Sequence, residues 1–528
     1  MLDLLAFILA AVTVIVALQF AADRTGLPAA ALLTVAGLVY AVLPGPNLAL
    51  DPHVILTFVI PPLIYSAALN SSLLAIRANL RAVISLSSGL VLATAGAVGA
   101  GLDLLVPGIG LGAGVALGAA LSPTDPVAAL AVGGRAGLPA KLITIIEGEG
   151  LLNDATALTT LTVAVTAATS GGFSPGDAVL RFLLAAAGGL LSGVTVAVVV
   201  RLLRSGVRDP LLVNGISLAT PFAAYLLGEE LHVSGVLAVA VAGLMIGHDT
   251  PRFTSGASRL QATAVWHLAD FLLQGFVFLL VGQQIAPVVR GLRAYPAGTI
   301  AAAAAISLGV VLLLRPLWLA LTQVLPRTLR TRRGRPVRDD QYLSGREIAV
   351  LSWAGTRGVI SLAAIFTLPL SLPGRDLLLF CAYLVVVVTL IGQGLTFAPV
   401  ARALGVRADP ADAALVRTQA RAAAAQAAVS RLNQISADLP GPALSALRTS
   451  LDHKARRYDQ LLGQLAEDTP PQTPEYQAAV AARRAIIDAQ REELLRWRDA
   501  GHLPDSGLRV LERELDHEER TLPPHDDH

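Results

Sequence analysis

The sequence predicts an all-α polytopic membrane protein followed by a helical, polar tail. Three observations predict it. Of 528 residues, 54% are hydrophobic and only 15% charged, with a mean hydropathy of +0.63, whereas soluble domains carry about 25% charged residues. Residues 1 to 405 are nearly all apolar, with charges confined mostly to short gaps. From residue 409 on, Ala, Arg, Asp, Glu and Gln dominate and no apolar run is long enough to span a bilayer. The natural division is a membrane domain at 1–408 and a tail at 409–528.

A crossing needs about 20 mainly apolar residues. About thirteen candidates fall near 2–20, 28–43, 53–69, 82–105, 109–132, 142–168, 182–200, 210–229, 232–247, 262–285, 296–324, 347–370 and 376–400. Barrel strands are excluded, because they alternate over about ten residues. The fifth span contains Ser122-Pro123-Thr124-Asp125-Pro126, whose two prolines remove backbone donors and disfavour helix before each ring. The twelfth contains Gly355-Thr356-Arg357-Gly358, a charge between glycines. Broken helices at membrane depth are tolerated only where they are buried in protein or line a cavity, and paired breaks point to a transporter's midplane site.

Arginine and lysine in the gaps set the orientation. Gaps after odd-numbered spans hold Arg24, Arg77, Arg81, Arg135, Lys141, Arg201, Arg204, Arg208, Arg252, Arg259 and the run of arginines from Arg327 to Arg346; gaps after even-numbered spans hold Arg181, Arg290, Arg293 and Arg375. The bias places the odd gaps and the tail in the cytoplasm and the N-terminus outside. Met1-Leu2-Asp3 lacks the basic start of a secretory leader, so the first span is expected to be retained. The tail reads as helices near 411–436, 442–467, 474–499 and 506–521. Leu444, Leu447, Leu451, Tyr458, Leu461 and Leu465 form a 3/4-spaced seam, Asp452 and Arg456 are a candidate i, i+4 pair, and Pro523 to His528 form a frayed ending.

A net charge of +2 gives no footprint for nucleic acid, and one cysteine, Cys381, excludes a disulfide framework or a thiolate metal cluster. Chemistry concentrates in Glu147-Gly148-Glu149-Gly150-Leu151-Leu152-Asn153-Asp154, where three carboxylates and an amide interrupt an apolar helix. Each ionisable group there costs at least about 2.5–3.5 kcal/mol on insertion scales. Asp154 is the candidate carrier: a carboxylate withdrawn from water can hold a proton or a small cation on the same oxygens. Hard cations take oxygen ligands; Asn153, Thr124, Asp125 and carbonyls freed by the prolines can supply them. Asp125 is equally a candidate N-cap for the half-helix after Pro126. Glu149 and Arg357 are expected to form a structural ion pair between the sixth and twelfth spans. Glu147, two turns from Asp154 on the same face, lines an ion path or lies at the interface. Arg315-Pro316 has no assigned partner, and Glu229, Glu230, His53, His232 and His248 read as boundary residues.

EGEGLLNDATAL, LSPTDPVA, WAGTRGVISLA, GQGLTFAPVARALG and VSGVLAVAVAGLMIGH resemble the signature segments of monovalent cation/proton antiporters, in the sodium/proton exchanger branch that includes the bacterial antiporter P group. The likeness covers 1–405. It implies an inverted-repeat bundle of about thirteen helices, a core domain moving against a dimerisation domain, and a homodimer in the cell membrane. It implies that Asp154 binds proton or cation beside Asn153, that Thr124 and Asp125 belong to the unwound fifth helix, and that Glu149 and Arg357 tether the sixth. No enzymatic reaction and no cofactor are implied; Na⁺ (or Li⁺) and H⁺ are the cargo, held as a monovalent cation by Asp154 and Thr124. Electrogenic relatives carry an Asp at the position of Asn153, so one-for-one, electroneutral exchange is expected.

Three positions depart from the family pattern. Ser66 stands in Pro61-Pro62-Leu63-Ile64-Tyr65-Ser66-Ala67 where similar proteins carry an acidic residue, Gly150 stands where many have Ser, and Gln274 where Asn is common. Ser66 is a candidate replacement hydroxyl for the ion. The readings that compete are K⁺/H⁺ exchange by the same mechanism and a non-transporting membrane sensor with the tail as output. An intramembrane hydrolase is disfavoured, because no Ser/His pair or zinc-spaced cluster lies in the spans.

Overall fold

The computed structural model describes residues 2–43, 52–127, 129–130, 133, 137–170, 175–207, 209–332, 342–408, 410–436, 440–466, 474–500 and 502–519. These are helical nearly throughout, with no strand among the described residues. Contacts divide the chain into two compact units, Met1–Arg407 and Ala408–His528.

The first unit comprises α1 (Leu2–Thr25), α2 (Ala29–Tyr40), α3 (Ile60–Asn70), α4 (Val91–Leu105), α5 (Leu111–Leu121), α6 (Ala140–Ser170), α7 (Pro175–Ser205), α8 (Pro210–Glu230), α9 (Gly235–Phe253), α10 (Gly256–Gln283), α11 (Ala297–Leu319), α12 (Gly345–Trp353), α13 (Val359–Phe366), α14 (Arg375–Val388) and α15 (Gly394–Ala403). Among the described residues eight helices are long and apolar enough to cross a membrane, with shorter apolar helices at Ala29–Tyr40, Ile55–Asn70, Leu111–Leu121 and Gly235–Pro251. α7 leaves Leu183, Leu184, Leu190, Leu191, Leu202 and Leu203 exposed. An apolar face of that extent is unfavourable in water and natural against lipid tails. Residues 128, 131–132 and 134–136 of the fifth span and the gap after it, with Arg135, lie outside the described residues, as do Arg208, Arg333, Arg335, Arg338 and the Pro523–His528 ending.

The fifth and twelfth spans are not continuous helices. α5 ends at Leu121 and is followed by non-helical Ser122 to Asp125; α12 and α13 are separated by non-helical Ala354 to Gly358. The two unwound segments satisfy each other. The Asp125 N–H donates to the Thr356 carbonyl at 2.7 Å, and the Thr356 hydroxyl donates to the Asp125 carbonyl at 2.8 Å. The approach is so close that a Cβ on Gly358 would run into the Asp125 carboxylate. Backbone groups freed by Pro123 and Pro126 thus find partners without water.

Two buried arginines complete the crossing, each 2% exposed. Arg357 donates from Nε to the Leu121 carbonyl at 2.9 Å and from Nη1 to the Gly355 carbonyl, while its N–H reaches Thr389 Oγ1 at 3.1 Å. Arg315 of α11 donates from Nε to the Leu351 carbonyl at 2.9 Å. Each guanidinium therefore sits at the C-terminal end of a half-helix, where orphan carbonyls and the negative end of the helix dipole call for a cation. Arg315 also grips Glu149 of α6 bidentately, through Nη1 on Oε1 and Nη2 on Oε2 at 2.9 Å. The ion pair expected between Glu149 and Arg357 is thus replaced by Glu149 with Arg315. The physical reason is that the Arg357 guanidinium donates to the carbonyls at the α5 end and at Gly355, whereas Arg315 presents its planar fork to the carboxylate.

The second unit comprises α16 (Pro410–Gln434), α17 (Gly441–Ala466), α18 (Pro474–Asp499) and α19 (Asp505–Glu519). α16 packs on α17, where Arg448 donates to Asn433 Oδ1 at 2.7 Å. α18 packs on α19; Ile487 of α18 and Leu508 of α19 are buried, and Arg491 bonds to Asp516 and Glu519 while Arg483 bonds to Glu518. Of the expected seam of α17, Leu444, Leu451, Tyr458 and Leu461 are half-buried and Leu447 is 47% exposed, while the Leu465 side chain lies outside the described residues. No ion pair joins Asp452 to Arg456 among the described residues; exposed pairs at this spacing gain little.

The buried Glu149–Arg315 pair yields a stability test. Glu149→Gln or Arg315→Met alone leaves one charge in a low-dielectric interior and costs about 3–5 kcal/mol. The double variant loses less than either single, because no unpaired charge remains. Thermal unfolding of the detergent-solubilised protein measures the cycle; a double variant no more stable than the singles contradicts the pairing.

Candidate functional site

α6 runs past the crossing and carries Glu149, Asn153 and Asp154, which are 2%, 1% and 4% exposed. Glu149 and Asn153 are one turn apart, and both reach Thr124 in the unwound segment. The Thr124 hydroxyl donates to Glu149 Oε1 at 2.9 Å and accepts from Asn153 Nδ2 at 3.0 Å; the same amide nitrogen lies 3.3 Å from the Thr124 carbonyl. Thr124 is therefore a node, its proton given to one partner and its oxygen to another. Asn153 Oδ1 is buried with no hydrogen-bond partner among the described residues.

Beside this node lies a cavity of about 340 Å³, bounded by α3, the unwound segment, α6, α10 and α13. Four carboxylates line it, Asp125, Glu147, Asp154 and Asp270, and no Lys, Arg or His does so among the described residues. The two nearby cations are committed elsewhere, Arg315 to Glu149 and Arg357 to helix-end carbonyls. The cavity is thus a site of negative potential with low-dielectric walls, which concentrates cations. Asp154 makes no hydrogen bond among the described residues, so both its oxygens remain for a proton or a cation.

The structure brings Thr124, Asp125 and Asp154 to one cavity; Asn153 and Ser66 do not line it. Asp125 caps the turn after Pro126, its Oδ1 accepting from the Val127 N–H at 2.9 Å. Glu147 faces the cavity. The Ser66 hydroxyl donates to Asp270 Oδ2 at 2.5 Å, so it serves a carboxylate rather than the cavity directly. Gly150 lies against Pro126, and a Cβ there would sit 2.8 Å from the ring's Cγ. A serine at 150 would displace that ring, so the departure is coupled to the tight packing of α6 on the broken helix. Sequence reasoning missed Asp270. The signal was present: a lone acid in the apolar stretch 262–285.

Comparison with known proteins places this architecture. The profile of the transmembrane sodium/hydrogen exchanger family matches residues 8–403. An uncharacterised Na⁺/H⁺ exchanger of Mycobacterium tuberculosis is 34% identical over 489 residues, covering 90% of this chain and 88% of that protein. A sodium, potassium, lithium and rubidium/H⁺ antiporter of Bacillus subtilis is 35% identical over 334 residues, 59% of this chain and 48% of that one. A solved sodium/proton antiporter of Methanocaldococcus jannaschii has the same fold, with a TM-score of 0.61 at 16% identity over 76% of this chain and 98% of that one. A broken-helix crossing beside a carboxylate-lined cavity, within a family match that spans the whole helical bundle, makes this chain a member of the sodium/hydrogen exchanger family of multi-pass membrane transporters.

Proposed function

We propose that the protein exchanges Na⁺ or Li⁺ for H⁺ across the cell membrane, with Asp154 as carrier. The observation that carries the reading is the cavity with four carboxylates and no cation among its described lining residues. A cation arriving from water meets Asp154 with both oxygens free, beside Thr124 and the Asp125 carboxylate, which line the same cavity. These are hard oxygen ligands suited to a small monovalent cation. A proton on Asp154 removes the charge that holds the cation, so the two occupants exclude one another.

Exchange is one-for-one in this reading. Asn153 is a neutral amide whose nitrogen is engaged by Thr124, and one Asp125 oxygen is engaged by the Val127 N–H. Asp154 is then the single group that trades a proton for a cation, and no net charge crosses. A second reading, K⁺ among the cargo, is favoured by the relative that is named a sodium, potassium, lithium and rubidium/H⁺ antiporter. The homodimer that the resemblance implies is retained. The tail, in this reading cytoplasmic, is a regulatory or dimer-stabilising module.

Three outcomes are expected. In proteoliposomes with a pH dye, Na⁺ or Li⁺ drives proton flux in the wild type, and Asp154→Asn abolishes it while the dimer still assembles; a fully active variant sinks the assignment. Flux with K⁺ alone keeps the mechanism and changes the cargo, and no flux with any cation returns the weight to a sensor. On a supported membrane, wild-type exchange generates no steady current, whereas a current that reverses away from the electroneutral condition contradicts single-carboxylate exchange. Truncation after Arg407 shifts the pH dependence or dimer stability and leaves Na⁺/K⁺ preference unchanged; an altered preference counts against a separable tail.

A further inference from the structure

Asp270 has no part in the crossing and none in the carrier mechanism above. It lies in α10 midway between Trp266 and Gln274, one turn from each. Trp266 is buried, its indole 5.2 Å from the Tyr65 ring and its N–H on Ser217, and Gln274 lines the cavity with Asp270. Those contacts fix the rotation of α10, so Asp270 is held at the cavity wall.

Ser66 of α3 is fully buried and its hydroxyl donates a hydrogen bond to Asp270 Oδ2. Asp270 Oδ1 is also buried, and it has no hydrogen-bond partner among the described residues. A second oxygen is in the same condition. Ser361 of α13 is 1% exposed, lines the same cavity, and its hydroxyl has no partner among the described residues. Buried polar oxygens are ordinarily satisfied, and leaving one unmet is costly. Two unmet oxygens in one cavity ask for a donor or a cation.

We infer that Asp270, oriented by Ser66, is a cation-coordinating carboxylate on the way to Asp154, with Ser361 offering a hydroxyl to the same ion. α3 has a hydroxyl at position 66 where an acid is common in similar proteins. Asp270 supplies the negative charge at that point from α10, across one hydrogen bond. Its role differs from that of Asp154: it raises the occupancy of the cavity by cation, and it is not the group that trades its proton. This rests on the exchange proposed above.

The test is the Na⁺ dependence of proton flux in proteoliposomes of the full chain, for the wild type, Asp270→Asn, Asp270→Glu and the swap Ser66→Asp with Asp270→Ser. Asp270→Asn raises the half-saturating Na⁺ concentration about tenfold, as expected for losing one charge near the ion, while the maximal rate falls far less. Asp270→Glu stays near wild type, and the swap recovers most of the lost affinity by returning the acid to α3. Na⁺-dependent thermal stabilisation of the purified proteins reads the same shift should a variant lose flux. A half-saturation in Asp270→Asn within about twofold of wild type by both readouts, or a swap no better than Asp270→Asn, overturns the inference. Wild type without exchange for any cation overturns the antiporter reading and this inference together; an active wild type with an unshifted Asp270→Asn overturns only this one.

Discussion

Two hydrogen bonds between non-helical segments hold the functional centre together. Asp125 and Thr356 exchange backbone and hydroxyl contacts where their chains cross, and everything near the cavity is referred to that point. Breaking two helices in the middle of an apolar bundle frees carbonyls and N–H groups that lipid cannot satisfy. The crossing satisfies part of them. Arg357 and Arg315 satisfy more, by meeting the carbonyls of Leu121 and Leu351 at the ends of the two half-helices. Only with that cost met can polar oxygen atoms of the unwound segment stand at the edge of a cavity.

Arg315 joins this scaffold to α6. One guanidinium holds a helix end and, through Glu149, the Thr124 hydroxyl, and Thr124 in turn holds Asn153. The chain of contacts fixes α6 in rotation, and fixing Asn153 fixes the next residue, Asp154. The carboxylate that faces the cavity is therefore positioned by neighbours that use up their own hydrogen-bonding capacity and leave it with none. The ion-paired Glu149 and the cavity-facing Asp154 are kept apart by less than a turn and a half of one helix.

Much of this was legible in the sequence, for physical reasons. Polar residues in an apolar run announce themselves, so Glu149, Asn153 and Asp154 stand out, and Pro123 with Pro126 marks a broken helix. Both readings of Asp125 keep support: Oδ1 caps the turn by accepting from the Val127 N–H, and the residue lines the cavity. Pairing was less legible. Glu149 was expected to pair with Arg357, and sequence order does not tell which guanidinium is spent on helix ends. Arg315 sits beside a proline in an apolar helix and gave no hint of its carboxylate 166 positions earlier. Asp270 was visible as a lone acid but has meaning only through Ser66, 204 positions away. In the tail, spacing alone did not separate the half-buried Leu444, Leu451, Tyr458 and Leu461 from Leu447, which has the right spacing and still faces water.

The distance along the chain between Glu149 and Arg315 has a consequence for biogenesis. At about 5–20 residues per second of synthesis, a separation of 166 residues means roughly 8–33 seconds in which α6 exists without its counter-charge. The Leu121 carbonyl waits longer still for Arg357, 236 residues later. During that interval the nascent first half holds an acid and a broken helix whose partners in the folded protein have yet to be made. The contacts that lock Glu149 and the broken helix in place are completed only when the last third of the membrane unit emerges.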